Sequence, residues 1–296
     1  VNQASGKNKR SNHKEDRRKA LKKETFTKAK KEGKPASKAN LKEKGFQGKA
    51  KSAPKQTTKS DDIRLNRYLA NAGVCSRREA DDLIKAGVVK VNGKVIVEMG
   101  FKVKPGDSVN YGGETLKLAK TVYVLLNKPK DFITTRSDPQ DRRTVMNLVA
   151  KATKEMTYPV GRLDRNTTGV LLFTNDGDLT RKLTHPSSQI EKIYHVFTDK
   201  PVRMEHIKLL ETGVELEDGM IKADKIKYVG NGEDKKQVGV ELHSGRNRIV
   251  RRMFEHFGYK VVKLDRVVFA GLTKKDLPRG KYRILTPLEV TKLKSL

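Results

Sequence analysis

Apolar positions along residues 63–296 fall either at helical spacing or in short strand-like runs, whereas residues 1–60 carry few of them. Ile63, Leu65, Leu69 and Ala72 lie near helical spacing, with Arg64, Arg67 and Asn71 turned to solvent and Gly73 as the stop. Ser76 followed three residues later by Glu79 is a capping-box pattern, so a second helix is predicted over 77–86, ended by Gly87. Runs 88–91 and 94–97 flank Asn92-Gly93, the signal of a hairpin with a type I′ turn. Pro105-Gly106-Asp107 turns the chain into a strand at 108–111, and 117–120 reads as a polar linker.

Beyond the linker, strands are predicted at 122–126, 170–173, 190–197, 237–243, 261–264, 267–270 and 282–285. Residues 213–228 read as strand, turn at Glu217-Asp218-Gly219, and strand. Helices are expected at 145–150, at 179–185 with Asp178 as cap and Pro186 as stop, and at 204–210. A further helix runs from the Ser244–Arg248 turn to Gly258, its apolar stripe made of Val250, Met253, Phe254 and Phe257. The class is α+β: two short helices with a small sheet, then a larger domain built on a mixed sheet.

Charge changes this picture. The 296 residues carry a formal net charge of +30, which implies a polyanionic partner, either nucleic acid or an anionic membrane surface. No apolar run approaches the roughly 20 residues needed to span a bilayer, and no signal-peptide core is visible, so a cytoplasmic protein is expected. Cys75 is the single cysteine, which excludes an internal disulfide and a multi-cysteine zinc site, and the six His show no metal-ligand spacing. Residues 1–60 hold 20 Lys and Arg against 5 Asp and Glu. They are expected to form a disordered basic arm that attracts phosphates without reading sequence, or else a solubilising tail. The Lys excess over Arg and the acidic residues disfavour a mitochondrial presequence. Folded domains are then expected at 61–118 and 119–296.

Several side chains are candidates for chemistry. Asp164 sits on a loop before the 170–173 strand, flanked by Arg162 and Arg165. Two neighbouring cations suit a carboxylate that acts as nucleophile or base, although Asp in a turn also serves simply to cap backbone amides. Arg64, Arg67, Arg77, Arg78 and Lys85 would give the first helices a basic face for phosphates. By strand alternation Lys192, Tyr194 and Val196 share a face, and a Lys and a Tyr there need partners. Arg246, Arg248, Arg251 and Arg252 form a cluster suited to phosphate binding and carboxylate pairing.

Gly161-Arg162-Leu163-Asp164, with Thr168-Gly169-Val170-Leu171-Leu172-Phe173-Thr174-Asn175-Asp176-Gly177, resembles the signature of bacterial rRNA pseudouridine synthases of the RsuA/RluB family. Arg64-Leu65-Asn66-Arg67-Tyr68-Leu69, Ser76-Arg77-Arg78-Glu79-Ala80 and Val89-Lys90-Val91-Asn92-Gly93-Lys94 resemble the S4 RNA-binding domain. Lys128-Pro129, Lys192-Ile193-Tyr194 and Gly245-Arg246-Asn247-Arg248-Ile249-Val250-Arg251-Arg252 match the family's other motifs, except that Ile249 stands where the family often has Gln or Glu.

The resemblance implies an S4-like domain followed by a synthase domain with a mixed, mainly antiparallel sheet. It implies isomerisation of uridine to pseudouridine in rRNA without redox cofactor, nucleotide or metal. Asp164 would be catalytic, Tyr194 would stack on the target base, and Arg251 would pair with Asp164. Arg64, Arg67, Arg77, Arg78, Lys85, Arg162, Lys192, Arg246, Arg248 and Arg252 are expected to contact RNA. The partner would be ribosomal RNA or a pre-ribosomal particle, bound by a monomer with no membrane contact. The Gly-Arg-Asn-Arg form leans towards a large-subunit substrate. The alternatives are a small-subunit synthase or a non-catalytic S4-type assembly factor. A protein with only an S4 domain is disfavoured by the second domain and its Arg162-Leu163-Asp164 triplet.

Overall fold

The capping box forms as its spacing dictates: Ser76 Oγ accepts from the Glu79 amide, and Glu79 Oε2 accepts from the Ser76 amide at 2.7 Å. The computed structural model describes residues 62–296, so the predicted basic arm at 1–60 lies outside the described residues. Strand β1 (Ile63–Arg64) leads into α1 (Leu65–Asn71) and then the capped α2 (Arg77–Lys85). Strands β2 (Val89–Val91), β3 (Lys94–Val95), β4 (Lys102–Val103), β5 (Val109–Tyr111) and β6 (Glu114–Thr115) follow. The β2–β3 turn has φ of 50° at Asn92 and 80° at Gly93, the left-handed pair that a type I′ hairpin requires. Leu65, Leu69, Ala80, Ile84, Val89, Val91, Val103 and Val109 close a small separate core.

The remaining chain builds a nine-stranded sheet. Its strands are β7 (Tyr123–Lys128), β8 (Tyr158–Pro159), β9 (Thr167–Thr174), β10 (Lys192–Thr198), and, after the small β11 (Val214–Leu216) and β12 (Gly219–Ile221) hairpin, β13 (Lys225–Tyr228) and β14 (Gln237–Leu242). β15 (Val261–Phe269), β16 (Leu272–Thr273) and β17 (Tyr282–Ile284) complete it, in the order β13-β14-β10-β15-β9-β7-β17 with β16 and β8 attached to β15 and β9. Every pairing of these strands is antiparallel except β9 with β15. The helices are α3 (Met146–Val149), α4 (Gly177–Thr184), α5 (Met204–Thr212), α6 (Ile249–Glu255) and α7 (Pro287–Ser295). The run Val170–Phe173 is continuously apolar because β9 is covered on both faces: Val170 and Leu172 enter one core, Leu171 and Phe173 another.

Two local expectations change, and one helix is added. The strands expected at 261–264 and 267–270 are one strand, β15, because Asp265 and Arg266 find partners inside the sheet instead of turning the chain. The cap of α4 is Asp176, whose Oδ1 accepts from the Leu179 amide at 3.0 Å; Asp178 lies in the first turn and pairs with Arg67 of α1. The sequence also encodes α7 through Thr286, Pro287 and Glu289, a second capping box with proline in the first turn.

Candidate active site

The loop between β8 and β9 presents Asp164, and it is tied down by its backbone. Lys128, the last residue of β7, is 0% exposed, and its Nζ donates to the carbonyls of Asp164, Arg165 and Thr167 at 3.1, 3.2 and 2.9 Å and to that of Pro129 at 3.1 Å. Thr134 Oγ1 donates to the Leu163 carbonyl at 2.8 Å, and the Asp131 amide to the Arg165 carbonyl at 3.0 Å. Burial pushes the Lys128 pKa down to about 8, with Asp164 and Asp131 opposing the shift. The loop is therefore held by several donors on its carbonyls, the Thr167 amide adding a bond to that of Asp164 at 3.0 Å.

The Asp164 side chain is left 40% exposed, and its Oδ2 stands 4.0 Å from Nε of Arg251, whose side chain is 9% exposed. Arg251 is on α6, and its Nη1 donates to the Val261 carbonyl at the start of β15, 2.8 Å away. Its Nε has no hydrogen-bond partner among the described residues. Burial and the nearby Arg248 lower the proton affinity of this guanidinium, and Asp164 raises it. The carboxylate and the guanidinium thus face each other across a gap, one reachable from solvent and the other enclosed.

Tyr194 reaches the same region through strand register. It lies opposite Arg266 of β15, Arg266 lies opposite Gly169 of β9, and Gly169 lies opposite Lys128 of β7. Gly169 has φ of +107°, and a Cβ there would stand 2.1 Å from the Arg266 carbonyl oxygen, so the close approach of β9 to β15 excludes a side chain. Thr168 Oγ1 donates to Asp265 Oδ1 at 3.0 Å beside this contact, while Lys274 and Arg279 hold the other carboxylate oxygen.

The other sequence-selected cations divide in two. Arg64, Arg77, Arg78, Lys85 and Arg162 are exposed and have no ion pair among the described residues. Arg67 pairs with Asp178, and Lys192 Nζ donates to the carbonyls of Ile190 and His243 at 2.8 and 2.6 Å. Arg252 makes a bidentate pair with Asp218, both bonds 2.8 Å, and Arg246 donates to the Gly219 carbonyl at 3.0 Å, so both lock the β11–β12 turn. Arg248, in a left-handed conformation before α6, reaches Glu255 at 3.4 Å. Sequence reasoning missed Lys128, Thr134 and Arg266 as working parts. The available signals were a Lys ending an apolar run and a charged pair splitting one. Among the described residues no group of His, Cys, Asp and Glu could hold a metal ion, and no helix is long and apolar enough to cross a membrane.

Residues 122–256 match the RNA pseudouridylate synthase family, and residues 63–109 match the S4 domain. The chain is 42% identical over 235 residues to the ribosomal large subunit pseudouridine synthase B of Bacillus subtilis (strain 168), covering 79% of this chain and 96% of that protein. It is 38% identical over 234 residues to an RNA pseudouridine synthase of Aquifex aeolicus (strain VF5), covering 78% of this chain and 94% of the relative. A crystal structure of a pseudouridylate synthase superposes with a TM-score of 0.55 at 28% identity, covering 78% of this chain and 99% of the other.

Proposed function

We propose a target and a division of labour for this chain, which belongs to the RNA pseudouridylate synthase family and is an enzyme that isomerises uridine to pseudouridine in RNA. The target is a uridine of large-subunit ribosomal RNA, acted on in the cytoplasm. The large-subunit assignment draws on the name of the Bacillus subtilis relative. In the reaction the N1–C1′ bond breaks, the uracil turns, and a C5–C1′ bond forms. C5 loses its proton and N1 gains one, so composition is unchanged.

Asp164 is the catalytic carboxylate, Arg251 its enclosed cation, and Tyr194 the ring on which the flipped base stacks. Stacking returns part of the energy lost when the base leaves its helix. The exposed Arg64, Arg77, Arg78, Lys85 and Arg162 are left to hold phosphates. The domains fall at 61–118 for RNA binding and 119–296 for catalysis. The observation that carries this reading is the solvent-reachable Asp164 carboxylate, 4.0 Å from a buried Arg251 Nε that has no hydrogen-bond partner among the described residues.

The test is Asp164→Asn, assayed by tritium release from large-subunit rRNA labelled at uracil C5. Product formation is expected to fall by at least about three orders of magnitude, as for loss of an essential nucleophile. RNA affinity should stay within a few-fold. Near-normal turnover by the Asn variant would sink the assignment.

A further inference from the structure

Arg266 occupies the centre of the sheet, between Tyr194 on one neighbouring strand and Gly169 on the other. It is 3% exposed. Its guanidinium lies over the Phe269 ring at 4.5 Å from the centroid, and Nε donates to the Val170 carbonyl at 2.9 Å. That bond has a local reason. The parallel ladder between β9 and β15 stops at Gly169 and Arg266, and the side chain takes over at the next carbonyl. Nη2, by contrast, has no hydrogen bond of ordinary geometry among the described residues.

A buried cation without an anion is among the most unfavourable things a core can hold. A strand that only had to satisfy Val170 could use a neutral donor. Burial lowers the proton affinity of Arg266, and the group that opposes the shift is the Tyr194 hydroxyl. Lys192, two residues before this tyrosine on β10, gives two of its three N–H groups to carbonyls, whereas Arg266 Nη2 donates to nothing among the described residues.

We propose that Arg266 is a positioning residue for the isomerisation, whose Nη2 donates to the Tyr194 hydroxyl once the target base is seated and so fixes the phenol ring against that base. The proposal rests on the assignment of Tyr194 made above. Bonds of this kind are commonly loose in the free enzyme and tighten in the substrate complex. Nε bound to Val170 aims the fork, because the guanidinium is planar and its donors keep fixed directions. Arg266 thereby links the strand that leaves Asp164 to the ring that carries the base.

A double-mutant cycle on the full chain tests this, read by single-turnover tritium release from C5-labelled large-subunit rRNA. Arg266→Gln keeps an amide donor for the Val170 carbonyl, Arg266→Met removes all donors, and Tyr194→Phe removes the hydroxyl. Arg266→Gln is expected to slow the step about 10- to 100-fold, the size of a positioning defect, with RNA binding within a few-fold. In the Tyr194→Phe background the same change should have almost no further effect on rate. An equal fold-loss in both backgrounds would overturn the proposal, because Arg266 would then act without the hydroxyl. So would an Arg266→Gln rate equal to wild type. Loss of native circular dichroism in both the Gln and Met variants would also overturn it, since a purely structural role of the buried guanidinium would then account for Arg266. A Tyr194→Phe rate matching wild type would overturn it too, because the hydroxyl would then hold nothing that matters; the stacking assignment fails separately, if Tyr194→Ala keeps the wild-type rate.

Discussion

Lys128→Met removes one ammonium and keeps most of an apolar stem that is 0% exposed. Four carbonyls lie within 2.9–3.2 Å of Nζ, but an ammonium has only three N–H groups. At about 1.5–3 kcal/mol for each charge-assisted bond, the cage contributes roughly 5–9 kcal/mol. Burial opposes it: a pKa pushed from 10.5 to about 8 corresponds to about 3 kcal/mol at the usual conversion. The Met variant escapes that term, so the net loss of stability should be roughly 2–6 kcal/mol.

The pH dependence follows from the direction of the shift. The folded pKa of Lys128 lies below the unfolded one, so its titration adds stability that is fully present above about 10.5 and gone below about 8. Between those values the unfolded chain binds the proton that the folded chain releases. The gap in stability between wild type and Lys128→Met should therefore widen from pH 8 to pH 10. Urea unfolding at several pH values measures it. Tritium release should fall by about 100-fold or more, because the freed carbonyls let the Asp164 loop drift from its working position. A variant with the wild-type midpoint and rate, or a gap that narrows with rising pH, would refute the cage as the organiser of the loop.

Three further outcomes are expected. Arg251→Met should lower the single-turnover rate by about 10²- to 10³-fold while RNA affinity moves only a few-fold, since a side chain 9% exposed is poorly placed to hold phosphate; equal losses in rate and affinity would contradict this. Gly169→Ala should destabilise by more than the roughly 1–3 kcal/mol of its backbone conformation alone, because its Cβ collides with the Arg266 carbonyl, whereas Gly93→Ala, with nothing within 4 Å, should show only the backbone part in thermal melts. Deleting residues 1–60 removes 20 of the 65 Lys and Arg and should flatten the salt dependence of RNA binding in filter assays without changing which uridine is modified.

The legible parts of the sequence were those governed by neighbours in the chain. Ser76 and Glu79 cap a helix wherever they occur at that spacing, and Asn92-Gly93 turns a hairpin by its own backbone preference. The β9 strand was readable because its apolar run is buried on both faces. Position in the chain could not reveal which charges are enclosed. Asp265 and Arg266 look like a break between two strands until the sheet supplies Thr168, Lys274 and the Val170 carbonyl as partners. The arginines of the 246–252 segment look alike in sequence. Only the β11–β12 turn, 34 residues before Arg252, separates the two that hold Asp218 from the one that faces Asp164.

The parallel pairing of β9 with β15 carries a consequence for the order in which this enzyme comes into being. Thr168 and Asp265, which meet across that pairing, are 97 residues apart in the chain. At a synthesis rate of roughly 5–20 residues per second, the second strand follows the first by roughly 5–20 s. Contacts of such long range form late in folding. Throughout that interval Asp164 is already made, yet Arg266 and the strand that braces Thr168 and Gly169 do not exist, and Arg251 is added only near its end. The S4 segment, whose own core closes within residues 65–109, is complete before any of this. The Asp164 loop therefore gains its neighbour across the parallel ladder only once β15 has emerged, well after the S4 segment has closed its own core.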